Sequence, residues 1–269
     1  TNWKNNVLLK EYNFETFCNY ILPYRVANEE PEFYLDHLRS KFNYLFNSDK
    51  SLKQIIFEIN DEINSNLSYD ERLVMVPNAQ SIKQTEKNQS GDLRDINIYK
   101  TMVYRSLGIA AALDYTPYFC DSILGYYTTT VILPNKDEIH LSNPDNNFNP
   151  YEEGKVAKVY RREYNSNPTS LFSIKDKKKH TPDFLGNFDY IDVTNEYIPT
   201  KSITILIRDT SRIVYLSVYN DKAWKPVEWS IIRSDSTAIF ENMGLGVRYM
   251  PSVVIDKTIV PIGEEFFLK

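Results

Sequence analysis

The segment from Ser90 to Gly108 constrains the fold more than any other part of the chain. Asp92 is a good helix N-cap, because its short side chain can accept from orphan N–H groups one turn in. Ile96, Tyr99, Val103 and Leu107 then recur at helical spacing. Gly108 ends the helix as a residue that adopts a left-handed conformation cheaply. Residues 110–119 and 126–133 follow as strands. Asn135-Lys136-Asp137 makes a hairpin turn, and residues 138–141 form the return strand. A central helix leading into a sheet is therefore the expected kernel.

Upstream, residues 13–21 read as a short helix with Phe14, Phe17, Cys18 and Ile21 on one face. Pro31 is expected to open a longer helix, at the first-turn position that proline tolerates. Its stripe is Leu35, Leu38, Phe42, Leu45 and Phe46, with His37 off the stripe and facing solvent. Ser48 is expected to cap a third helix, in which Leu52, Ile55, Ile56, Ile59 and Ile63 give the clearest period in the chain. Residues 74–89 and 165–188 read as loops, and residues 157–164 as a further strand. From Tyr190 the period changes to two. Ile203, Ile205 and Ile207, then Val214, Leu216 and Val218, alternate with polar residues, and short strands follow at 227–232, 237–240, 247–250 and 253–255. The fold class expected is α+β. Residues 1–185 form a domain of helices packed on an antiparallel sheet, and residues 186–269 form a second, sandwich-like β domain.

The chain has 269 residues, 42% hydrophobic and 25% charged, enough to bury a sizeable core. A net charge of −5 leaves no basic surplus to neutralise phosphates, so a nucleic-acid partner is not expected. The run at residues 175–179 is the one basic cluster, and its simplest reading is a solvated loop. Twenty Tyr and 14 Phe suit either a core with polar tips or a sugar-binding face. Cys18 and Cys120 lie in no metal spacing, and His37, His140 and His180 are far apart. Two free buried thiols are favoured over a Cys18–Cys120 disulfide, though both remain open. Asp145, Asn147 and Asn149 imitate the start of a calcium loop, but Pro150 stands where glycine is needed and Val156 where the loop's last ligand belongs. Neither a metal nor another cofactor is expected. No run of about 20 apolar residues is available to span a membrane. A chain opening at Thr1 without a leader reads as a mature or trimmed piece.

Gly91-Asp92-Leu93-Arg94-Asp95 followed by Tyr104-Arg105-Ser106-Leu107-Gly108-Ile109 resembles the transglutaminase-like superfamily, whose members read Gly-x-Cys and then Arg-x-Leu-Gly-Ile-Pro. Ala110 replaces that proline. Four further pieces resemble extracytoplasmic proteins of Bacteroidetes that carry such a domain: Leu22-Pro23-Tyr24-Arg25, Lys158-Val159-Tyr160-Arg161, Asp192-Val193-Thr194 with Tyr197, and Trp224-Lys225-Pro226-Val227 with Trp229. The resemblance covers most of the chain. It implies a papain-like N-terminal domain and a periplasmic location, or attachment to the outer membrane or cell surface as a lipoprotein.

The departures from the family pattern bear on activity. The family's cysteine is Leu93 here, and its histidine falls on Tyr126 in Gly125-Tyr126-Tyr127-Thr128. The third catalytic position falls near residues 140–143. A leucine cannot attack a carbonyl, and a tyrosine with a pKa of about 10 is a poor base at neutral pH.

The expected function is a non-catalytic extracytoplasmic binding or scaffold module for a glycan, a peptide or a partner protein. Asp92, Leu93, Tyr115, Tyr118, Phe119, Tyr126 and Tyr127 are its candidate lining. The same aromatics can equally be filling a vacated site. The alternative is a hydrolase of another type using Asp92 and Asp95, which lie near one face of the helix start. Against it, Asp92 can simply cap and Asp95 complement the helix dipole. A third reading, a displaced thiol enzyme using Cys120 with His140, lacks a helix N-terminus to depress the thiol pKa.

Overall fold

The computed structural model describes residues 11–47, 49–121, 125–144, 150–164, 168, 170–174, 181–187, 190–209 and 211–269. The calcium-like residues 145–149, the basic run, His180 and Ser48 lie outside these. The fold is α+β, with helices and antiparallel sheets. It divides into two units whose segments interleave along the chain. One is Thr1–Asp114, Tyr127–Phe148 and Arg162–Tyr164; the other is Tyr115–Tyr126, Asn149–Arg161 and Asn165–Lys269.

The first unit is built on helices α1 (Phe14–Tyr20), α2 (Leu35–Phe42), α3 (Leu52–Asn66), α4 (Ile82–Asn88) and α5 (Leu93–Ser106). Its core joins Leu38 and Phe42 of α2, Ile55, Ile56, Ile59 and Ile63 of α3, and Ile96, Tyr99, Val103 and Tyr104 of α5. Each isoleucine buried in this way stabilises by about 1.5–3 kcal/mol relative to exposure. Strands β1 (Ser68–Tyr69) and β2 (Ser90–Gly91) pair in parallel just ahead of α5. Strands β3 (Ala110–Thr116), β4 (Tyr126–Ile132) and β5 (Glu138–His140) lie side by side after it. β4 and β5 are antiparallel in the register Thr130 to His140. Gly108 has φ +82°, the left-handed residue expected past the helix end.

Four local expectations are corrected. The third helix is capped by Ser51, which forms a reciprocal box with Gln54, rather than by Ser48. The second begins at Leu35 instead of Pro31, and upstream of Pro31 the Glu29 carboxylate accepts from the N–H groups of Val26 and Ala27. Residues 74–89 contain α4, closed by a Ser81–Gln84 capping box. Only Ile82 and Thr85 of α4 are buried, so its polar composition hid it. Finally, the strand read at 157–164 is only β6 (Tyr160–Arg162), and the loop read at 165–188 contains α6 (Leu171–Ile174).

The second unit is β-rich. β6 lies beside β7 (Tyr190–Asp192), and α7 (Thr194–Tyr197) follows. One sheet then runs β10 (Ala223–Ile231), β9 (Ile213–Asn220), β12 (Val247–Ile255), β13 (Thr258–Pro261), with β14 (Phe266–Leu268) also on β12. A two-stranded sheet pairs β8 (Thr200–Leu206) with β11 (Thr237–Gly244). The pairings among β8 to β14 are antiparallel. Val214, Leu216, Val218, Val227, Phe240, Val247 and Tyr249 form the core, as the period-two pattern requires. The segments read as separate strands at 247–250 and 253–255 are one strand that runs through Pro251. Proline cannot donate, but its carbonyl accepts from Ile262 N–H at 2.9 Å.

Candidate functional site

Helix α5 is buried along its length. Every residue from Asp95 to Ser106 is inaccessible, including Asn97, Lys100, Thr101 and Arg105. A helix enclosed in this way must satisfy each polar side chain internally. Only its first residues, Leu93 and Arg94, are partly open. The position at which the resemblance places a nucleophile is thus in the least buried turn of the helix.

Asp92 and Asp95 close the helix start on each other. Asp92 Oδ1 accepts from Asp95 N–H at 2.8 Å, and Asp95 Oδ2 accepts from Asp92 N–H at 3.3 Å. Asp95 also takes Gln80 N–H on Oδ1 at 2.9 Å and Gln80 Nε2 on Oδ2 at 3.0 Å. Asp92 Oδ2 faces Arg94 at 3.5 Å. The two carboxylates are therefore engaged as a reciprocal cap. Burial, together with the charge of Asp95, pushes the Asp92 carboxyl up from the usual carboxylate range. Gly91 is required here, since a Cβ on it would lie 2.6 Å from Asp95 Cβ. The Arg94 guanidinium is spent on the carbonyls of Val76 at 2.8 Å and Pro77 at 3.1 Å.

One turn further in, Asn97 Nδ2 reaches Asn143 Oδ1 at 2.8 Å and Tyr127 O at 3.1 Å, while its Oδ1 accepts from Thr129 at 2.9 Å. Asn143 Nδ2 also donates to Tyr127 O at 3.0 Å. Asn143 is thus a buried amide bound to another amide and a backbone carbonyl. Tyr127 is half-buried, and burial raises its hydroxyl pKa, with the Arg94 guanidinium opposing. Such a hydroxyl is a hydrogen-bonding group at neutral pH and a poor base.

The remaining candidates belong to the second unit and are packed there. Tyr115 and Tyr118 lie against Phe184 with ring centroids 5.9 and 6.4 Å apart. Phe119 packs on Tyr126 at 6.1 Å, and Tyr126 meets Tyr151 edge-on at 5.8 Å. Tyr115, Phe119 and Tyr126 are all at most 9% exposed. Gly125 is needed for this geometry, because a Cβ there would sit 2.5 Å from Thr116 O. Within the unit, the buried Tyr115 and the half-buried Tyr118 share Phe184 as a neighbour, and Phe119 packs with Tyr126 as buried rings.

Both cysteines are free thiols. Burial raises the Cys120 pKa, and its Sγ lies 3.7 Å from the Asp121 carboxylate, an acceptor that favours the protonated form. His140 has Nδ1 at 2.9 Å from Thr130 Oγ1, which in turn lies 2.7 Å from Asp114 Oδ2. His37 is exposed as expected and meets Glu86 at 2.7 Å. Among the described residues there is no group of three or more His, Cys, Asp or Glu placed to hold a metal ion. No described helix is long and apolar enough to cross a membrane.

No family model matches the chain, and no curated protein matches it. Among solved structures, a protein from Cytophaga hutchinsonii provisionally assigned as a cysteine protease is similar at 14% identity and TM-score 0.39, over 53% of this chain and 47% of that one. A protein from Parabacteroides distasonis provisionally assigned as a protease is similar at 14% identity and TM-score 0.37, over 47% of this chain and 26% of that one. The chain thus spans less than half of either protein. Likeness at this level carries no residue roles, and the α+β class stands on the chain's own elements.

Sequence reasoning missed Asn97, Thr129 and Gln80, the residues that lock the helix start. Asn97 carried a faint signal, as a polar residue between the apolar Ile96 and Ile98. Sequence reasoning also gave no role to Arg105, whose Nε donates to Ala111 O at 2.9 Å and whose Nη1 donates to Arg25 O at 3.1 Å. The arginine of the Arg-x-Leu-Gly segment is a buried strut that joins the 22–25 piece to the helix end.

Proposed function

We propose that this protein is a non-catalytic, extracytoplasmic binding or scaffold module that uses a papain-like, transglutaminase-like framework to hold a glycan or a peptide. The observation that carries the reading is Leu93 at the open first turn of an otherwise buried helix, flanked by carboxylates that serve as its cap. A nucleophile is absent where the framework would use one. The carboxylates beside it have their oxygens engaged, and the Cys120 thiol is pushed towards its protonated form. The extracytoplasmic placement follows the Bacteroidetes resemblance of the sequence pieces.

The test is turnover. The purified chain is incubated with casein, with a glutamine peptide plus a fluorescent amine, and with aryl glycosides. Neither cleavage, amine incorporation nor glycoside release above background is expected. Turnover lost in Asp92→Asn or Asp95→Asn would favour the carboxylate hydrolase. Turnover lost on alkylation of Cys120 would favour the displaced thiol enzyme.

A further inference from the structure

The second unit holds a pocket of about 490 Å3, within the range of small-ligand sites, that none of the preceding residues explains. Tyr160, Tyr190, Asp192, Glu228, Trp229 and Arg233 are among its walls. Beneath it lies Lys158, which is fully buried. Its ammonium meets Asp192 Oδ2 at 2.6 Å, Glu228 Oε2 at 2.7 Å and Glu241 O at 2.6 Å. Burial alone would depress this lysine, but Glu228 and Asp192 outweigh it and hold the charge on.

Both carboxylates are fixed on their other sides as well. Asp192 Oδ1 takes Thr194 N–H at 3.0 Å, and Glu228 Oε1 takes Trp229 N–H at 2.9 Å. Tyr160 donates to Val227 O at 2.6 Å and also lies 3.2 Å from Glu228 Oε2. The two acids keep side-chain exposures of 24% and 16%, and both line the pocket. The wall thus offers rigid acceptors, with Arg233 and Ser230 as donors and the half-buried Trp229 as the apolar plate, while Tyr160 and Tyr190 are buried.

We infer that this pocket binds a neutral sugar, as one end of a glycan. A sugar ring presents an apolar C–H face and a rim of hydroxyls that each donate and accept, and it needs an aromatic plate next to fixed acceptors and donors. Asp192 and Glu228 already share the Lys158 ammonium, at 2.6 and 2.7 Å, which favours a neutral ligand over a cation at these two acids. Preorganisation lowers the cost of binding, because the lysine already immobilises both acceptors. The site stands independently of the helix-start reading, and would hold for a chain that proved catalytic there.

The experiment is saturation-transfer NMR on the full chain with maltose, cellobiose, mannobiose and N,N′-diacetylchitobiose, and with spermidine and trilysine as the cationic arm. At least one disaccharide is expected to show transfer, with a Kd of ~10 mM or tighter. Trp229→Ala and Arg233→Ala should each weaken that binding about tenfold or more, equivalent to ~1.4 kcal/mol. Trp224→Ala, outside the pocket lining, should leave it unchanged. If Trp229→Ala does not fold, the exposed Arg233→Ala decides. The proposal is overturned if no disaccharide binds, if only the cations bind, or if a bound sugar is indifferent to the folded pocket variants.

Discussion

Asn97 Nδ2 lies 2.8 Å from Asn143 Oδ1, and this amide pair ties the buried helix α5 to the chain leaving β5. The pair is surrounded by groups that depend on it. Thr129 donates to Asn97 Oδ1, and Tyr127 O accepts from both amides. Asn97 has two amide hydrogens and three acceptors within reach, Leu93 O at 2.7 Å among them, so the network shares protons rather than dividing into separate bonds.

Asn97→Ala should therefore destabilise by about 1–3 kcal/mol, the cost of leaving buried polar groups with fewer partners. Asn143→Ala should act similarly. The double variant should lose less than the sum of the two, since each single change already breaks the shared bond. Urea unfolding midpoints at constant m-value check this. Strict additivity would show that the amides do not act as a pair.

Lys100 gives a pH-dependent prediction. Its ammonium is buried on α5 with Ser142 O at 2.6 Å, and burial pulls its pKa down to about 7, with Asp61 opposing. In the unfolded chain it returns to about 10.4. Below about pH 7 both states carry the proton, and the destabilisation from burying the charge is present in full. Between about 7 and 10.4 the unfolded state binds more protons, so stability rises with pH. Lys100→Met should be more stable than the parent by a few kcal/mol near pH 6, and the gain should fade as pH climbs to about 10. Ser142 O keeps the Asn64 donor at 3.2 Å, which limits what the substitution removes. Denaturant midpoints from pH 6 to 10 measure the difference. A gain independent of pH would mean that the amine is already neutral or solvated.

Arg105 is predicted to be irreplaceable by lysine. Burial lowers its pKa to about 10, yet the guanidinium stays charged at neutral pH and spreads its donors over Ala111 O, Arg25 O and Pro23 O. A lysine ammonium is a point donor and cannot span these three carbonyls. Arg105→Lys should cost about 2–4 kcal/mol, with orphaned carbonyls and a buried, poorly solvated amine as the cause. Equal unfolding midpoints for the two proteins would show that the strut is not needed.

Much of the framework was legible because periodicity reports burial. The isoleucines of α3, the Asp92 cap and Gly108 follow from spacing and local backbone preference alone. The resemblance pieces are legible for a different reason, since they bond to one another. Lys158 pairs with Asp192, Val159 N–H donates to Thr194 Oγ1 at 3.0 Å, Arg161 meets Glu196 at 3.0 Å, and Tyr160 reaches Val227 O. Helix α4 and the Asn97–Asn143 pair were not legible. A short helix with two buried residues has no apolar period, and an amide pair spanning 46 residues leaves no trace in local pattern.

The last prediction concerns restoring a nucleophile. Leu93→Cys, alone or with Tyr126→His, should not give a working protease or transglutaminase. The new thiol would sit at the first turn of a 14-residue helix, whose dipole favours a thiolate. Asp92 stands next to it and Asp95 two residues on, and their negative charge disfavours that thiolate. Arg94 offsets this incompletely, because its guanidinium is held by the carbonyls of Val76 and Pro77 as well as facing Asp92. A histidine at 126 would lose the ring contacts that Tyr126 makes with Phe119 and Tyr151. No third residue is identified to hold the tautomer and angle of such an imidazole. The engineered thiol should titrate near the free value of about 8.5. Iodoacetamide labelling of the Leu93→Cys variant across pH 5 to 10, corrected for the labelling of Cys18 and Cys120 in the parent, measures it directly. Amide hydrolysis should remain at background. Rapid labelling near pH 6 together with hydrolysis of an amide substrate would show the opposite, that a complete catalytic framework lacks only these two side chains.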